Sequence, residues 1–260
     1  MGAVRLSARD GNGARWHRGP VAPPLVWAHR GASADALENT LTAFRLARTQ
    51  GADGVELDVT RCKSGEVIVF HDDDLRRLGK RPERVRDLPW SELQRIDLGG
   101  GEHMPLLDDV LAELGTLAVN IELKTAPTWQ ERVVDDGLAA EVAALVARHD
   151  AADRVIVSSF DPLLLGRFRL RAPQIATGLL FAHDQARPNR EAWLAPVLKP
   201  TALHPEGVLV DARNVRRWHA RGYAVNVWTV DDPAELRLLS ALGVDGVITN
   251  RPAATRAVIQ

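Results

Sequence analysis

Along residues 54–60 polar and apolar positions alternate, with Val55, Leu57 and Val59 on one face and Glu56 and Asp58 on the other. That period of two predicts a strand with one polar face. Upstream, the apolar run Leu25-Val26-Trp27-Ala28 ends abruptly in His29-Arg30-Gly31, and downstream Val67-Ile68-Val69-Phe70 ends in His71-Asp72. Only residues 61–66 separate the second run from the third. A parallel crossover takes about a dozen residues, so the pair is predicted to form an antiparallel hairpin turning near Lys63-Ser64-Gly65. A symmetric register about that turn sets Thr60 against Val67, Asp58 against Val69 and Glu56 against His71. His71 then shares a face with the acids, and a bulge would shift the pairing by one residue.

Elsewhere the pattern alternates between periods of two and 3.6. Helices are expected at 41–50 (capped by Asn39 or Thr40 and stopped by Gly51), 90–96, 107–114, 131–149, 162–171, 215–221 and 232–242. Parallel strands are expected at 25–29, 54–58, 117–123, 154–159, 175–181, 201–210, 224–230 and 246–249. Within 201–210 either Ala202–His204 or Val208–Val210 could be the strand. Eight strand-helix repeats in a chain of 260 residues are the pattern of an α/β closed (β/α)8 TIM barrel, here with a β-hairpin extension. Residues 73–105, rich in Arg, Gly and Pro, fit no repeat and read as a small insertion over one end. Residues 1–24 read as a flexible lead-in, so that 25–260 form a single domain.

Apolar residues make up 45% and charged residues 26% of the chain, with a formal net charge of −1. This balance is that of a globular protein in water, and it excludes the basic footprint of a nucleic-acid binder. No apolar run has the length of a membrane span, and the start lacks a signal-like apolar stretch. The single cysteine, Cys62, allows no internal disulfide. A cytoplasmic protein is the expectation.

In a barrel, charged residues at the C-terminal strand ends meet at one mouth, where sites of this fold lie. The candidates are His29 and Arg30, Glu56 and Asp58, His71, and Glu122 with Lys124, which alternate with Ile121 and Leu123. Three inward carboxylates repel one another unless a cation relieves them. A set of oxygen ligands alone suits Mg²⁺ or Ca²⁺ better than Zn²⁺. The two histidines could bind a softer metal, but beside a complete oxygen set they rank as proton-transfer groups. Arg30 and Lys124 next to a metal would hold the equatorial oxygens of a phosphoryl group. For Lys124 the alternative is a salt bridge to Glu122 or Asp58 that merely neutralises the ring. Trp228, inside Asn226-Val227-Trp228-Thr229-Val230, is a candidate pocket wall or aromatic core filler.

At these residues the chain resembles the glycerophosphodiester phosphodiesterases. The resemblance is carried by His29-Arg30-Gly31, Glu38-Asn39-Thr40, Glu56-Leu57-Asp58-Val59, Ser64-Gly65 and Val69-Phe70-His71-Asp72. It continues through Ile121-Glu122-Leu123-Lys124, Ser158-Ser159-Phe160, Val227-Trp228-Thr229-Val230 and Ile248-Thr249-Asn250-Arg251-Pro252. Any one triplet is weak; the ordered set is specific. It implies a TIM barrel of the PLC-like phosphodiesterase type with a segment inserted after the hairpin. It also implies hydrolysis of glycerophosphodiesters to an alcohol and sn-glycerol 3-phosphate; a route through a cyclic glycerol phosphate is a hypothesis consistent with both the residues and the resemblance. By the same match Glu56, Asp58 and Glu122 hold Mg²⁺ or Ca²⁺, His29 and His71 are the acid–base pair, and Arg30 and Lys124 contact phosphate. Two residues depart from the family pattern. Leu37 stands where proline is usual, and Asn250 stands where aspartate is common, a change expected to touch the packing of the last strand.

Rival readings are a lysophospholipase D-type enzyme acting on lysophospholipids, a carboxylate and metal lyase or isomerase, and a non-catalytic binding barrel. The lyase leaves the paired histidines and Arg30 without roles, and the binder has no need of two proton-transfer groups.

Overall fold

The computed structural model describes residues 14–19, 22–126 and 128–259. Among them nine strands form one sheet: β1 (Leu25–His29), β2 (Gly54–Arg61), β3 (Val67–Val69), β4 (Ala118–Leu123), β5 (Val155–Ser159), β6 (Ala176–Phe181), β7 (Ala202–Pro205), β8 (Ala224–Val227) and β9 (Gly246–Thr249). Eight run parallel, and β1 pairs with both β9 and β2, which closes the expected (β/α)8 barrel. β3 pairs antiparallel with β2 outside the ring. The strand within 201–210 is the first alternative, since Gly207–Leu209 is a short 3-10 turn.

Period-two alternation sorts each strand's residues between two cores. Val55, Leu57, Val59, Ile121 and Leu123 face outward, into the layer under the helices. The inward positions read as a ladder. Near the N-terminal end stand Trp27, Ala118, Ile156, Ala176, Ala202 and Ala224. The buried polar Asn120, Ser158, His204 and Asn226 come next towards the mouth, with Glu56 level with Asn120 and Glu122 with Ser158. Register carries this ladder around the ring: Trp27 lies level with Gly54, His29 with Glu56, and Asp58 with Glu122. Gly54 has to be glycine, because a Cβ there would lie 2.6 Å from the Trp27 ring.

Three expectations are corrected. The hairpin pairs Val59 with Val69, Thr60 with Ile68 and Arg61 with Val67, one residue off the symmetric register. The cause is the turn, in which Cys62 N–H donates to Glu66 O and Gly65 N–H to Cys62 O, so that an odd number of residues is enclosed. The helix expected at 131–149 is two, Trp129–Val133 and Leu138–Arg148. Asp135 and Asp136 break it by accepting from the Gly137 and Leu138 amides, which starts a new helix after Gly137 at φ 83°. Finally, the described part of the lead-in is anchored. Trp16 is 1% exposed and stacks on Trp27 at 5.6 Å, while the Arg18 amide donates to Asp245. The alanines at the strand starts leave room for that indole. Residues 1–13, 20 and 21 lie outside the described residues.

Residues 73–105 gather a cluster of their own (Leu75, Val85, Leu93, Ile96, Leu98 and Met104) against Ile68 and Phe70 of the hairpin. No helix among the described residues is long and apolar enough to cross a membrane.

Candidate active site

The mouth is built by chain reversals just past the strand ends. After β1 the backbone turns with Arg30 at φ 55° and Gly31 at φ 85°. At Gly31 a Cβ would also meet the Ala43 Cβ at 2.6 Å, so only glycine lets the following helix, Leu41–Thr49, pack this close. Thr40 caps that helix. Its neighbour Asn39, in the left-handed region at φ 57°, instead donates its amide to Asp58 Oδ2 at 2.8 Å. A capping candidate read from local sequence is thus an orienter of a buried acid.

Glu56, Asp58 and Glu122 are all buried, and each offers an oxygen within 4.8 Å of the others'. Two permanent cations lie among them. Arg30 Nε is 3.3 Å from Asp58, and its backbone N–H donates to Glu56 at 3.0 Å. Lys124 Nζ is 2.9 Å from Glu122 and 3.3 Å from Asp58. The salt bridges envisaged for Lys124 are therefore made, while its ammonium still lines the cavity.

Three carboxylates against two cations leave the cluster short of positive charge. Burial, then Asp58 and Glu122, push the Glu56 carboxyl well above its ordinary range. Burial, only partly offset by Lys124, raises Glu122 as well. For Asp58 burial acts upward too, but Lys124, Arg30 and His71 outweigh it and hold the group ionised. One oxygen cluster that protein cations only partly neutralise has the donor chemistry of a hard divalent ion site.

His29 and His71 both line the same cavity of about 230 Å³. Their supports differ. His29 Nδ1 lies 2.7 Å from Asn250 Oδ1. That amide is oriented by its own N–H to Asp231 at 2.6 Å and by the Ser33 hydroxyl, which donates to the same Oδ1 at 2.8 Å. Nδ1 therefore carries the proton, and Nε2, 4.0 Å from Glu56, is the basic nitrogen. Burial and then Arg30 lower the His29 pKa. His71 Nδ1 meets a carboxylate instead, Asp72 at 2.7 Å. Arg77 grips Asp72 and bridges it to Glu38, which in turn bonds Arg30. The inserted segment thus braces His71 through Arg77. His71 reaches the mouth from just past the end of β3, not by facing Glu56 across the hairpin as the symmetric register required.

Opposite the charges the wall is apolar: Phe160, Leu180, Trp228 and Ile248. Phe160 meets Trp228 edge-on at 5.4 Å, and the indole N–H donates to His204 O at 2.8 Å. Trp228 lines the cavity and also packs against the inner core of the barrel. Asn250, Asp231, Asp72 and Arg77 had not been singled out as site residues. For Asn250 a signal existed, since ring closure puts the end of β9 beside the end of β1.

Such a mouth, with one polar wall of acids, bases and cations and one apolar wall, defines an α/β-barrel of hydrolytic type. Comparison with known proteins makes this specific. The model of the glycerophosphoryl diester phosphodiesterase family matches residues 29–254, and the chain belongs to that family. It is 32% identical to a glycerophosphodiester phosphodiesterase of Caldanaerobacter subterraneus over 88% of this chain and 94% of that one. Among solved structures, the glycerophosphodiester phosphodiesterase of Thermotoga maritima superposes with a TM-score of 0.74 at 31% identity, covering 90% of this chain and 98% of that chain. A phosphodiesterase of Oleispira antarctica in complex with the product sn-glycerol-3-phosphate superposes with a TM-score of 0.80 at 28% identity, covering 91% and 97%.

Proposed function

We propose that this protein hydrolyses glycerophosphodiesters to an alcohol and sn-glycerol 3-phosphate in the cytoplasm, with Mg²⁺ or Ca²⁺ held by Glu56, Asp58 and Glu122. The observation that carries the reading is the cavity lined by Glu56, Glu122, two imidazoles, Arg30 and Lys124, with Asp58 completing the carboxylate cluster at its wall. The ion, when bound, neutralises the carboxylates and polarises phosphoryl oxygens. Arg30 and Lys124 hold the non-bridging oxygens, and the apolar wall takes the glycerol carbons.

His29, kept neutral with Nε2 facing the cavity, accepts the proton of the glycerol 2-hydroxyl as that oxygen attacks phosphorus. His71, oriented through Nδ1 by Asp72, gives its proton to the departing alcohol oxygen. The P–O bond to the head group breaks as the ring P–O bond forms. In the second half, His71 takes a proton from water, the water oxygen opens the cyclic phosphate, and His29 returns a proton to the 2-oxygen.

The test is release of glycerol 3-phosphate from glycerophosphocholine, with EDTA and with added Mg²⁺ or Ca²⁺. Metal-dependent release is expected. Release of choline from lysophosphatidylcholine alone would move the assignment to the lysophospholipase D reading, and turnover indifferent to EDTA would remove the metal.

A further inference from the structure

We infer that a second cavity beside the mouth is the head-group subsite, and that it selects hydroxyl-rich alcohols over quaternary ammonium ones. This rests on the phosphodiesterase reading. The cavity measures about 300 Å³ and shares Glu122, Lys124 and Phe160 with the catalytic cavity, so the two join past the phosphate-binding lysine. A diester held at Lys124 with one arm on the apolar wall sends its other arm through that junction. On the hairpin side, the space next to His71 is only about 90 Å³, too small for a substantial alcohol.

The lining determines which alcohol fits. Beyond the shared residues it is built mainly from Arg132, Asp161, Gln185 and Asn189. Asp161 spends one oxygen, Oδ1, capping the helix Pro162–Arg171 and keeps the other for a ligand. Gln185 spends its carbonyl on the Ala182 amide at 3.1 Å, which leaves its NH₂ to donate. Arg132 is tied by Nε to Ala126 O and keeps its terminal nitrogens. Asn189 adds a donor and an acceptor from the exposed short helix Arg187–Arg190. Donors and acceptors in this mix, with Glu122 and Asp161 balanced by Lys124 and Arg132, match vicinal hydroxyls. A trimethylammonium group would meet as many cations as anions there, would leave the hydrogen-bonding groups unpaired, and would find one phenyl ring and no aromatic cage.

The experiment compares kcat/KM for glycerophosphoglycerol and glycerophosphoinositol with that for glycerophosphocholine. Wild-type enzyme is expected to favour the polyol diesters by about tenfold, the worth of one or two well-made hydrogen bonds. In Gln185→Ala with Asn189→Ala that ratio should fall towards one, and Asn189→Asp, which retains an acceptor, should recover part of it. Turnover of all three diesters at one rate, with a ratio indifferent to these substitutions, overturns the subsite and leaves the phosphodiesterase reading intact. Turnover of none of them overturns both.

Discussion

The two ends of the barrel are lined by the same inward positions of the same strands, yet they are built on opposite principles. At the N-terminal end Trp16 and Trp27 stack above a ring of alanines, the indoles are almost fully removed from solvent, and the fit is one of shape. At the C-terminal end the inward positions are acids and the His29 imidazole, and burial raises the cost of ionising Glu56 and Glu122. The floor gains stability from packing. The mouth gives some up to keep carboxylates close together for an ion and a phosphate. Between them lies a neutral polar layer in which the Asn226 amide bonds His204 Nε2 at 3.0 Å.

That contrast can be broken most sharply with the histidines. His29→Ala and His71→Ala are each expected to lower kcat by about a hundred- to ten-thousandfold while the melting temperature barely moves. A steady-state assay beside a thermal melt checks this, and near-normal turnover in either variant would remove that residue from proton transfer. The floor should answer the other way. Trp16→Ala should cost about 3–5 kcal/mol of stability in urea unfolding, with kcat of the folded fraction retained. A loss much under that would mean the N-terminal turn does not seal the barrel.

At the mouth, Glu56→Gln removes a charge that burial and its neighbours disfavour. The variant should be about as stable as the parent without divalent ions, or more stable by roughly 1–4 kcal/mol, and should lose the parent's melting-temperature gain with Mg²⁺ or Ca²⁺. The sign follows from the raised pKa. The cost of ionising Glu56 is absent below its ordinary value of 4.5 and grows as pH rises through the elevated one, so the gain from the ion should be larger at pH 8 than at pH 5. A gain independent of pH would place the ion elsewhere.

The smallest effect belongs to the middle layer. Burial pushes the His204 ring down from 6.5 to about 3, so an unfolded chain takes up the proton first. The contribution of His204 is whole above about pH 6.5 and is lost as pH falls towards 3. His204→Gln should flatten the decline in unfolding free energy between pH 7 and 5. An unchanged slope would assign that decline to other groups.

Local pattern carried much of this. The alternation of Val55, Leu57 and Val59 with Glu56 and Asp58 specified which side chains entered the barrel, and the strand–helix rhythm specified that there was one. Each acid, base and cation singled out at a strand tip lines the mouth cavity or its carboxylate cluster, because a closed parallel barrel brings all such tips to one rim. The hairpin register was not legible. It depends on whether the turn encloses five or six residues, a choice made by the Cys62 and Gly65 backbone bonds rather than by periodicity.

Nor could local sequence show that Asn250 orients His29 across 221 positions of chain, that Arg77 of the insertion braces Asp72, or that Trp16 fills the floor. Hydrophobic periodicity reports which face of a segment is buried. Which distant partner meets that face is decided only when β9 pairs with β1 and closes the ring.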